Sequence, residues 1–428
     1  MEPLYCFGSG RRSGGRAALL VLFLLTAASI GRAESLTLTL EQAQTLAENY
    51  NPELRQASAE IDAIEGRRQD AKSLLYNNPA LFTELSRRRA PGTTNGEWTL
   101  GIEQPIELAG QQGLRQSAAE SDLAAQRASI LSLRRTLRAE VELRFVQVQA
   151  LQTRLVAEQE ALALIERWAA IVNSRVAAGE ETRLDGNLAE VEVGRMRNQL
   201  DRLREDLVRS RSDLSRLLQL PAPVVPEAAG ALDAAPLQYT LQELVESGQS
   251  RPALLALAHR EDADRSRLEL ERAARYPDLT VGLMTTREGP SDTRETITGL
   301  TFSLPLPLFR RNAEGIGRAY ADLSKTRIER QAVGRDVRAG ITARWEQLSK
   351  LAARLQRLNE VVLPRLDENM RLARVSYQRG EISISELLLA ARQVVDARRD
   401  ILDAILDHEI TRIELEEIAG WSGEAQSR

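Results

Sequence analysis

Two carboxylates occupy matching places in the two halves of the chain. Asp185 lies six residues after Gly179, and Glu386 lies six residues after Gly380, although the surrounding residues differ. If several copies of the chain meet there, the carboxylates form a ring that attracts cations and repels anions. Alternatively, both are ordinary acids in the first turn of a helix, where the positive end of the helix dipole favours them. The sequence leaves both interpretations open.

Residues that bind transition metals are sparse. The chain has two histidines, His259 and His408, and apart from the initiator its methionines are Met196, Met284 and Met370. No pair of these residues has the spacing of a metal-ligand motif. Both histidines are therefore expected to be packing or surface residues. The sequence predicts no dedicated metal site and no cofactor.

Motifs for catalysis and nucleotide binding are also missing from the sequence. It contains no glycine-rich phosphate loop and no nucleophile with a supporting base nearby. Adjacent acids such as Glu416 and Glu417 are most simply a solvated helix face. A formal net charge of −4 gives no indication of a nucleic-acid partner. The sequence thus argues against an enzyme and against a nucleic-acid-binding protein.

The N-terminus has the form of a secretory signal peptide. Three arginines precede an apolar run over residues 17–30, and the small-residue sequence Gly-Arg-Ala follows at 31–33. This apolar run is too short to span a bilayer as a helix. We therefore expect residues 1–33 to be removed, and with them Cys6, the only cysteine of the chain.

The rest of the chain has the pattern of one unit written twice. Four landmarks recur in the same order at spacings of 200 or 201 residues, which chance explains poorly. The pairs are Thr39–Gln42 with Thr240–Glu243, Asn51-Pro52 with Arg251-Pro252, Gln104–Ile106 with Leu304–Leu306, and Arg175–Glu180 with Ser376–Glu381. We predict a first repeat over 34–220, a linker over 221–239, a second repeat over 240–420 and a tail over 421–428.

Long helices dominate the prediction for both units. Aromatic residues make up only 4% of the chain, while leucine, alanine and charged residues prevail at helical spacing. The predicted helices are approximately 40–76, 111–178 and 181–218 in the first unit, and 241–275, 312–379 and 381–419 in the second. Helix 111–178 would be about 100 Å long. Because one helix buries no core by itself, it must pack against others along its length.

Four short segments between the helices alternate between apolar and polar residues. In Glu97–Glu103, for example, Trp98, Leu100 and Ile102 alternate with polar residues or glycine. This period of two is typical of strands. The predicted strands are Leu81–Arg87, Glu97–Glu103, Leu279–Thr285 and Thr296–Leu304, joined by polar loops at 88–95 and 287–294.

These strands favour a membrane barrel over hairpins that cap a soluble coiled coil. An isolated two-stranded hairpin is marginal in water. A transmembrane barrel has an apolar outer face, and lipid does not tolerate unpaired strand edges. Four strands cannot close a barrel, and a barrel of eight is filled by side chains, so a pore needs three or more copies of the chain.

Two strand-to-helix junctions carry a resemblance to a known family. They are Gly-Ile-Glu-Gln-Pro-Ile-Glu-Leu-Ala-Gly at 101–110 and Ser-Leu-Pro-Leu-Pro-Leu-Phe-Arg-Arg-Asn at 303–312. Together with the duplication, they make the chain from about Leu36 to Ala419 resemble the TolC family of outer-membrane efflux ducts. Within that family it is most similar to the branch that serves cobalt–zinc–cadmium and other heavy-metal resistance exporters.

The resemblance implies a mainly α fold with a small β part. In such a protein, duplicated long helical hairpins form a periplasmic tunnel, and four strands per chain contribute to the twelve-stranded outer-membrane β-barrel of a homotrimer. The duct would passively conduct cargo, heavy-metal cations in this branch, from an inner-membrane pump and a periplasmic adaptor. Other possibilities are a drug or secretion duct of the same fold, or a periplasmic coiled-coil adaptor or scaffold that never enters a membrane.

The resemblance also implies two groups of site residues at the hairpin tips. The residues expected to dock on the adaptor are Arg175, Gly179, Glu180, Arg379, Gly380 and Glu381. Asp185 and Glu386 are expected to form an acidic aperture at the periplasmic mouth. Leu389 stands where a second acid of the family is expected, so this aperture has one carboxylate per tip.

Overall fold

The computed structural model describes residues 35–91, 93–234, 236–290 and 292–421. The predicted signal peptide lies outside these ranges, as does the predicted tail apart from Trp421. The helices of the described chain are α1 (Leu40–Tyr50), α2 (Pro52–Ala71), α3 (Gln111–Ala178), α4 (Arg183–Leu217), α5 (Leu241–Gln249), α6 (Pro252–Ala273), α7 (Ala313–Arg357), α8 (Leu363–Gln378) and α9 (Ile384–Ala419). Its strands are β1 (Ser35–Leu38), β2 (Ala80–Ala90), β3 (Thr93–Ile106), β4 (Val225–Ala228), β5 (Leu279–Glu288) and β6 (Glu295–Ser303).

The long helix α3 has the bounds that the sequence predicts. It follows Gly110 and is followed by Gly179, both with positive φ. Its buried side chains recur at helical spacing, as in Leu137, Val141 and Val148. The helix packs against α2, α4, α6 and α9, so it contacts both halves of the chain.

The predicted helix 40–76 is wrong in its continuity, because it is two helices that meet at Asn51. The Asn51 side chain accepts a hydrogen bond from the backbone N–H of Leu54 at 3.0 Å and so caps α2. Pro52 suits the first position of that helix, where its missing N–H costs nothing. The predicted helix 241–275 is broken in the same way, with Arg251 before the first residue, Pro252, of α6.

The predicted helix 312–379 is continuous in the structure, but a π-helical turn over Leu358–Val362 separates α7 from α8. The N–H of Leu363 bonds to the carbonyl of Leu358, five residues back. Pro364 has no N–H to donate to the carbonyl four residues before it, so the ordinary α-helical ladder is interrupted here. A single wider turn absorbs the interruption.

The strands form an antiparallel sheet in the order β2-β3-β5-β6. They extend further than the sequence predicts, since Arg89 pairs with Thr94 and Glu288 with Glu295. Most of the predicted loop 88–95 is therefore strand. Polar side chains do not prevent backbone pairing, and this explains the error. The central β3–β5 pair joins the two halves of the chain, while β2 and β6 are edges.

The strand register makes the sheet amphipathic. Opposite pairs such as Leu81 with Ile102 and Leu283 with Leu300 share one face. That face carries Leu81, Leu85, Trp98, Leu100, Ile102, Val281, Leu283, Leu300 and Phe302. The opposite face carries mostly polar residues and glycines, and on it the hydroxyls of Thr99 and Thr286 are 2.9 Å apart. The alternation predicted from the sequence is thus confirmed.

A second, small sheet and several cores hold the helices together. β1 pairs in parallel with β4, which brings the start of the first half next to the segment that precedes the second half. Around this sheet a core of α1, α3 and α4 side chains includes Val141 and Leu214. A second core around Ile341 and Leu348 joins α5, α7 and α9. No helix within the described residues is long and apolar enough to cross a bilayer.

Candidate functional site at the helical hairpin tips

The α3–α4 hairpin and the α8–α9 hairpin each end in a glycine turn of the same kind. Gly179 has φ +78° and Gly380 has φ +72°, in the left-handed region that favours glycine. At the first tip the N–H of Glu180 bonds to the carbonyl of Arg175 at 2.9 Å, and at the second the N–H of Glu381 bonds to that of Ser376 at 2.9 Å. These bonds close the ends of α3 and α8 and reverse the chain. The predicted helix stops are confirmed.

No other part of the described chain packs against either of these two glycines. Apart from the two adjacent residues in the chain, no heavy atom would lie within 4 Å of a Cβ added to either glycine. Both tips therefore present bare backbone at the surface of a single chain.

The two tips touch each other through one cluster of side chains. The guanidinium of Arg175 lies 5.1 Å from the ring centre of Tyr377 and 3.7 Å from the carboxylate of Glu181. The Tyr377 hydroxyl donates to Glu181 at 3.4 Å. Burial raises the pKa of Tyr377, and the negative charge of Glu181 adds to the shift. Arg175 and Glu181 thus connect the hairpins, whereas Arg379 and Glu381 remain exposed.

Behind the tips, apolar side chains of α3, α4, α8 and α9 form a shared core. Its largest fully buried members are Val172, Ile384 and Leu387. Gly186 lets α4 approach α3 closely, because a Cβ there would lie 3.1 Å from the side-chain oxygen of Asn173. The tips are therefore the end of a packed four-helix region.

Asp185 and Glu386 both lie in the first turn of the helix that returns from the tip. Thr182 and Ser383 cap these helices, and their hydroxyls accept from the backbone N–H groups of Asp185 and Glu386 at 3.2 and 3.3 Å. In return the carboxylates accept from the backbone N–H of the capping residues, at 3.3 Å for Asp185 and 2.8 Å for Glu386. Each acid is thus one half of a reciprocal capping box.

The same box begins two further helices, far from the tips. Thr39 with Gln42 caps α1, and Thr240 with Glu243 caps α5. The match between Asp185 and Glu386 therefore has a structural cause that is independent of an aperture. Hydrogen bonds from the Ser383 backbone and side chain lower the pKa of Glu386, which is fully exposed.

An apolar stripe next to the first tip is not among the predicted site residues. Leu184, Leu188 and Val191 follow one another at four and three residues on α4, and all are exposed. The opposite stripe of α4, which includes Ala189 and Val193, already fills the core. The signal was present in the sequence as a second apolar face on one helix, and this is more than a helix needs to pack on its own hairpin.

The described residues contain no cluster of three or more His, Cys, Asp or Glu side chains that could hold a metal ion. His408 is buried, and its Nδ1 lies 3.0 Å from the Glu409 carboxylate. His259 is partly buried on α6. Neither histidine lies at the tips.

The sequence profile of the outer membrane efflux protein family matches residues 43–219 and 244–421. The chain belongs to this family. The efflux protein is 29% identical to the cobalt-zinc-cadmium resistance protein CzcC of Cupriavidus metallidurans over 361 residues, which cover 84% of this chain and 85% of the relative. It is 26% identical to the nickel-cobalt-cadmium resistance protein NccC of Alcaligenes xylosoxydans xylosoxydans, over 76% of this chain and 74% of that one.

Solved structures show the same fold. The crystal structure of CusC matches with a TM-score of 0.74 at 18% identity, covering 94% of this chain and 96% of that one. The outer membrane protein VceC of Vibrio cholerae matches with a TM-score of 0.72 at 16% identity, covering 90% and 96%. The predicted family, fold class and outer-membrane location with a periplasmic extension are confirmed. The adaptor-docking and aperture roles of the tip residues stay predictions.

The capping role of Glu386 predicts a pH dependence in the first turn of α9. Because its folded pKa lies below the ordinary value of 4.5, the carboxylate stabilises the turn at neutral pH. This contribution is lost as the pH falls through the folded pKa. Amide hydrogen exchange of residues 383–387, corrected for its intrinsic pH dependence, should therefore become faster between about pH 6 and about pH 3.

The variant Glu386→Gln keeps an acceptor oxygen but does not titrate, so its corrected exchange should change far less with pH. The first turn of α5 is an internal control, since hydrogen bonds from Thr240 lower the pKa of Glu243 in the same way. It should keep its pH dependence in the variant. Equal exchange at both pH values in the unmodified protein would contradict the prediction.

Proposed function

We propose that the efflux protein is the passive outer-membrane duct of a tripartite system that exports heavy-metal cations. The observation that carries the proposal is the four-stranded amphipathic sheet with two open edges, β2 and β6. In lipid the unpaired backbone groups of these edges need partners, which other copies of the chain can supply. Three copies give twelve strands, enough to enclose water.

The amphipathic register supports one orientation of the sheet in this proposed assembly. Its apolar face, with Leu85 80% and Phe302 68% exposed in the single chain, turns toward lipid. The opposite face, with Glu84, Thr99 and Glu103, lines the pore. The long hairpins of three copies then continue the pore into the periplasm.

The relatives support metal cations as the cargo. CzcC and NccC are named for resistance to cobalt, zinc, cadmium and nickel, all of which are divalent cations. The protein's role in this proposal is conduction and not catalysis. The cations pass with their hydration shells through a wet channel, driven by the pump.

The tips are the proposed docking site for the adaptor. The bare backbone at Gly179 and Gly380 lets a partner's hairpin approach closely. Glu180, Arg379 and Glu381 are exposed and charged, and Arg175 is partly exposed beside them. The apolar stripe of Leu184, Leu188 and Val191 supplies the desolvated area that a stable contact needs.

The aperture is the second proposed role of the tips. Three copies of Asp185 and Glu386 place six carboxylates at the periplasmic mouth, in addition to their capping role. Because a neutral amide keeps an acceptor oxygen, as Gln42 does in the box on α1, the charge can be removed while the capping hydrogen bond is retained.

The proposed pore predicts that the protein purified in detergent is a trimer that conducts ions in planar bilayers. Its conductance should prefer cations, because the aperture carboxylates raise the local cation concentration. In Asp185→Asn combined with Glu386→Gln, the cation selectivity should fall, most clearly at low salt where screening is weak. Single-channel recordings of reversal potentials measure this change.

The matched control is Glu243→Gln, which removes the charge of an equivalent capping box on α5. It should keep the selectivity of the unmodified channel. A monomer that is stable without detergent and does not conduct would contradict the pore. A conducting trimer whose selectivity survives the double substitution would contradict the aperture alone.

The docking proposal predicts that bulk at the two tip glycines abolishes efflux. Gly179→Trp combined with Gly380→Trp adds rings to the bare backbone, whereas Asn tolerates positive φ and adds little. Cells that carry the Trp variant should lose metal resistance, while the Asn variant should keep most of it. Both should form conducting trimers.

The pair of variants separates contact from strain. Loss of resistance in both would attribute the effect to the strained turn and not to docking. Full resistance in the Trp variant would show that the adaptor does not contact the tips.

A further inference from the structure

The four connections between the sheet and the helices lie at one end of the sheet. The register pairs Ala80 with Glu103, Ile106 with Leu279, and Thr280 with Ser303. Residues 72–79, 107–110, 274–278 and 304–312 therefore lie side by side where the helices begin. We call these four segments the collar.

Each segment of the collar exposes large apolar or aromatic side chains. Examples are Leu74 (88% exposed), Tyr76, Leu108, Tyr276, Leu308 and Phe309 (96% exposed). Exposed apolar surface of this extent needs a partner. A neighbouring copy would pair with the backbone edges of β2 and β6. It does not reach the two central segments, which contain Leu108 and Tyr276, because β3 and β5 are interior strands.

The last segment continues the apolar face of β6 beyond the end of its pairing. Leu304, Leu306 and Leu308 keep the alternation of Leu300 and Phe302 along the sequence. Pro305 and Pro307 stand between them and have no backbone N–H. The segment can therefore leave the sheet next to lipid with fewer unpaired backbone N–H groups. For the same reason it offers a neighbouring strand few backbone N–H groups to pair with.

Positively charged side chains lie next to the exposed apolar residues of the collar. Arg310 and Arg311 are exposed directly after Phe309 and form no ion pair within the described residues. The nearby Arg115 is used differently, since it lies 3.5 Å from the ring centre of Tyr76 and 2.6 Å from the Glu107 carboxylate. Exposed tyrosines, aliphatic side chains and free arginines in one band are typical of a membrane–water interface.

We propose that the collar binds the periplasmic-side leaflet of the outer membrane. Leu306, Leu308 and Phe309 enter the boundary between acyl chains and headgroups, and Arg310 and Arg311 bind anionic phospholipid headgroups. This proposal rests on the proposed barrel, whose apolar face meets lipid directly above the collar. It fixes how deep the barrel sits and anchors the tunnel below it.

A spin label at residue 309 tests the position of the collar. In a Cys6→Ser background, Phe309→Cys carries the only label, and the labelled protein is reconstituted in phosphatidylethanolamine–phosphatidylglycerol vesicles. Oxygen, which concentrates in lipid, should relax the label more than a water-soluble nickel chelate. A label at Arg318→Cys, on the exposed surface of α7, should show the opposite order.

The other outcomes overturn the proposal in distinguishable ways. Relaxation by nickel at residue 309 places the collar in water, and protection from both agents means that a second copy covers it. Conductance of the same labelled sample reports on the barrel separately. A sample that conducts but fails the label test therefore overturns the collar and leaves the proposed duct intact.

A second experiment tests the arginines. Arg310→Gln combined with Arg311→Gln should retain several-fold less phosphatidylglycerol than the unmodified protein in native mass spectrometry, with Arg318→Gln as the control. Excess inorganic phosphate should not release the lipid, because the acyl chains also bind. Equal retention in the double variant, or release by phosphate, would overturn the headgroup role.

Discussion

The rest of the structure depends on the length of α3. A helix of 68 residues spans about 100 Å and has no core of its own. Every part of it therefore needs a neighbour, and the structure supplies α2 and α6 near the sheet, α4 along the hairpin, and α9 across the two halves. The shared four-helix core behind the tips and the core around the small sheet are the results of this requirement.

Polar contacts fix how the two halves meet along α3. Arg412 of α9 donates to Glu142 of α3 at 2.7 Å and also bonds to Glu409 and Glu416 of its own helix. Burial raises the pKa of Glu142, although the charge of Arg412 opposes the shift. Lower on the same helices, Arg399 donates to the buried Glu158 at 2.7 Å. A buried charge that loses its partner is costly, so a sliding of α9 along α3 is disfavoured.

The tip carboxylates show how one residue can serve the fold and remain available for function. Reciprocal capping explains why a side chain that accepts hydrogen bonds recurs at Asp185 and Glu386 while the residues around it differ. Capping requires a hydrogen-bond acceptor, whereas an aperture requires a charge. The box on α1 uses the neutral Gln42 and illustrates this distinction. An acid at each tip meets both requirements.

The sequence by itself determined the periodic elements: the bounds of α3, the glycine turns and the amphipathic strands, because each depends on local spacing. The break at Asn51-Pro52 is also local, since an Asn cap followed by Pro is a common helix start, although the apolar periodicity alone predicts one continuous helix. Tertiary structure decided the length of the strands, the β3–β5 pairing, the Arg175–Tyr377–Glu181 contact between tips and the exposure of the Leu184 stripe. These join residues that are distant along the chain or depend on which of two apolar faces is already covered. The local spacing of residues does not show which distant residues meet or which face of a helix is covered.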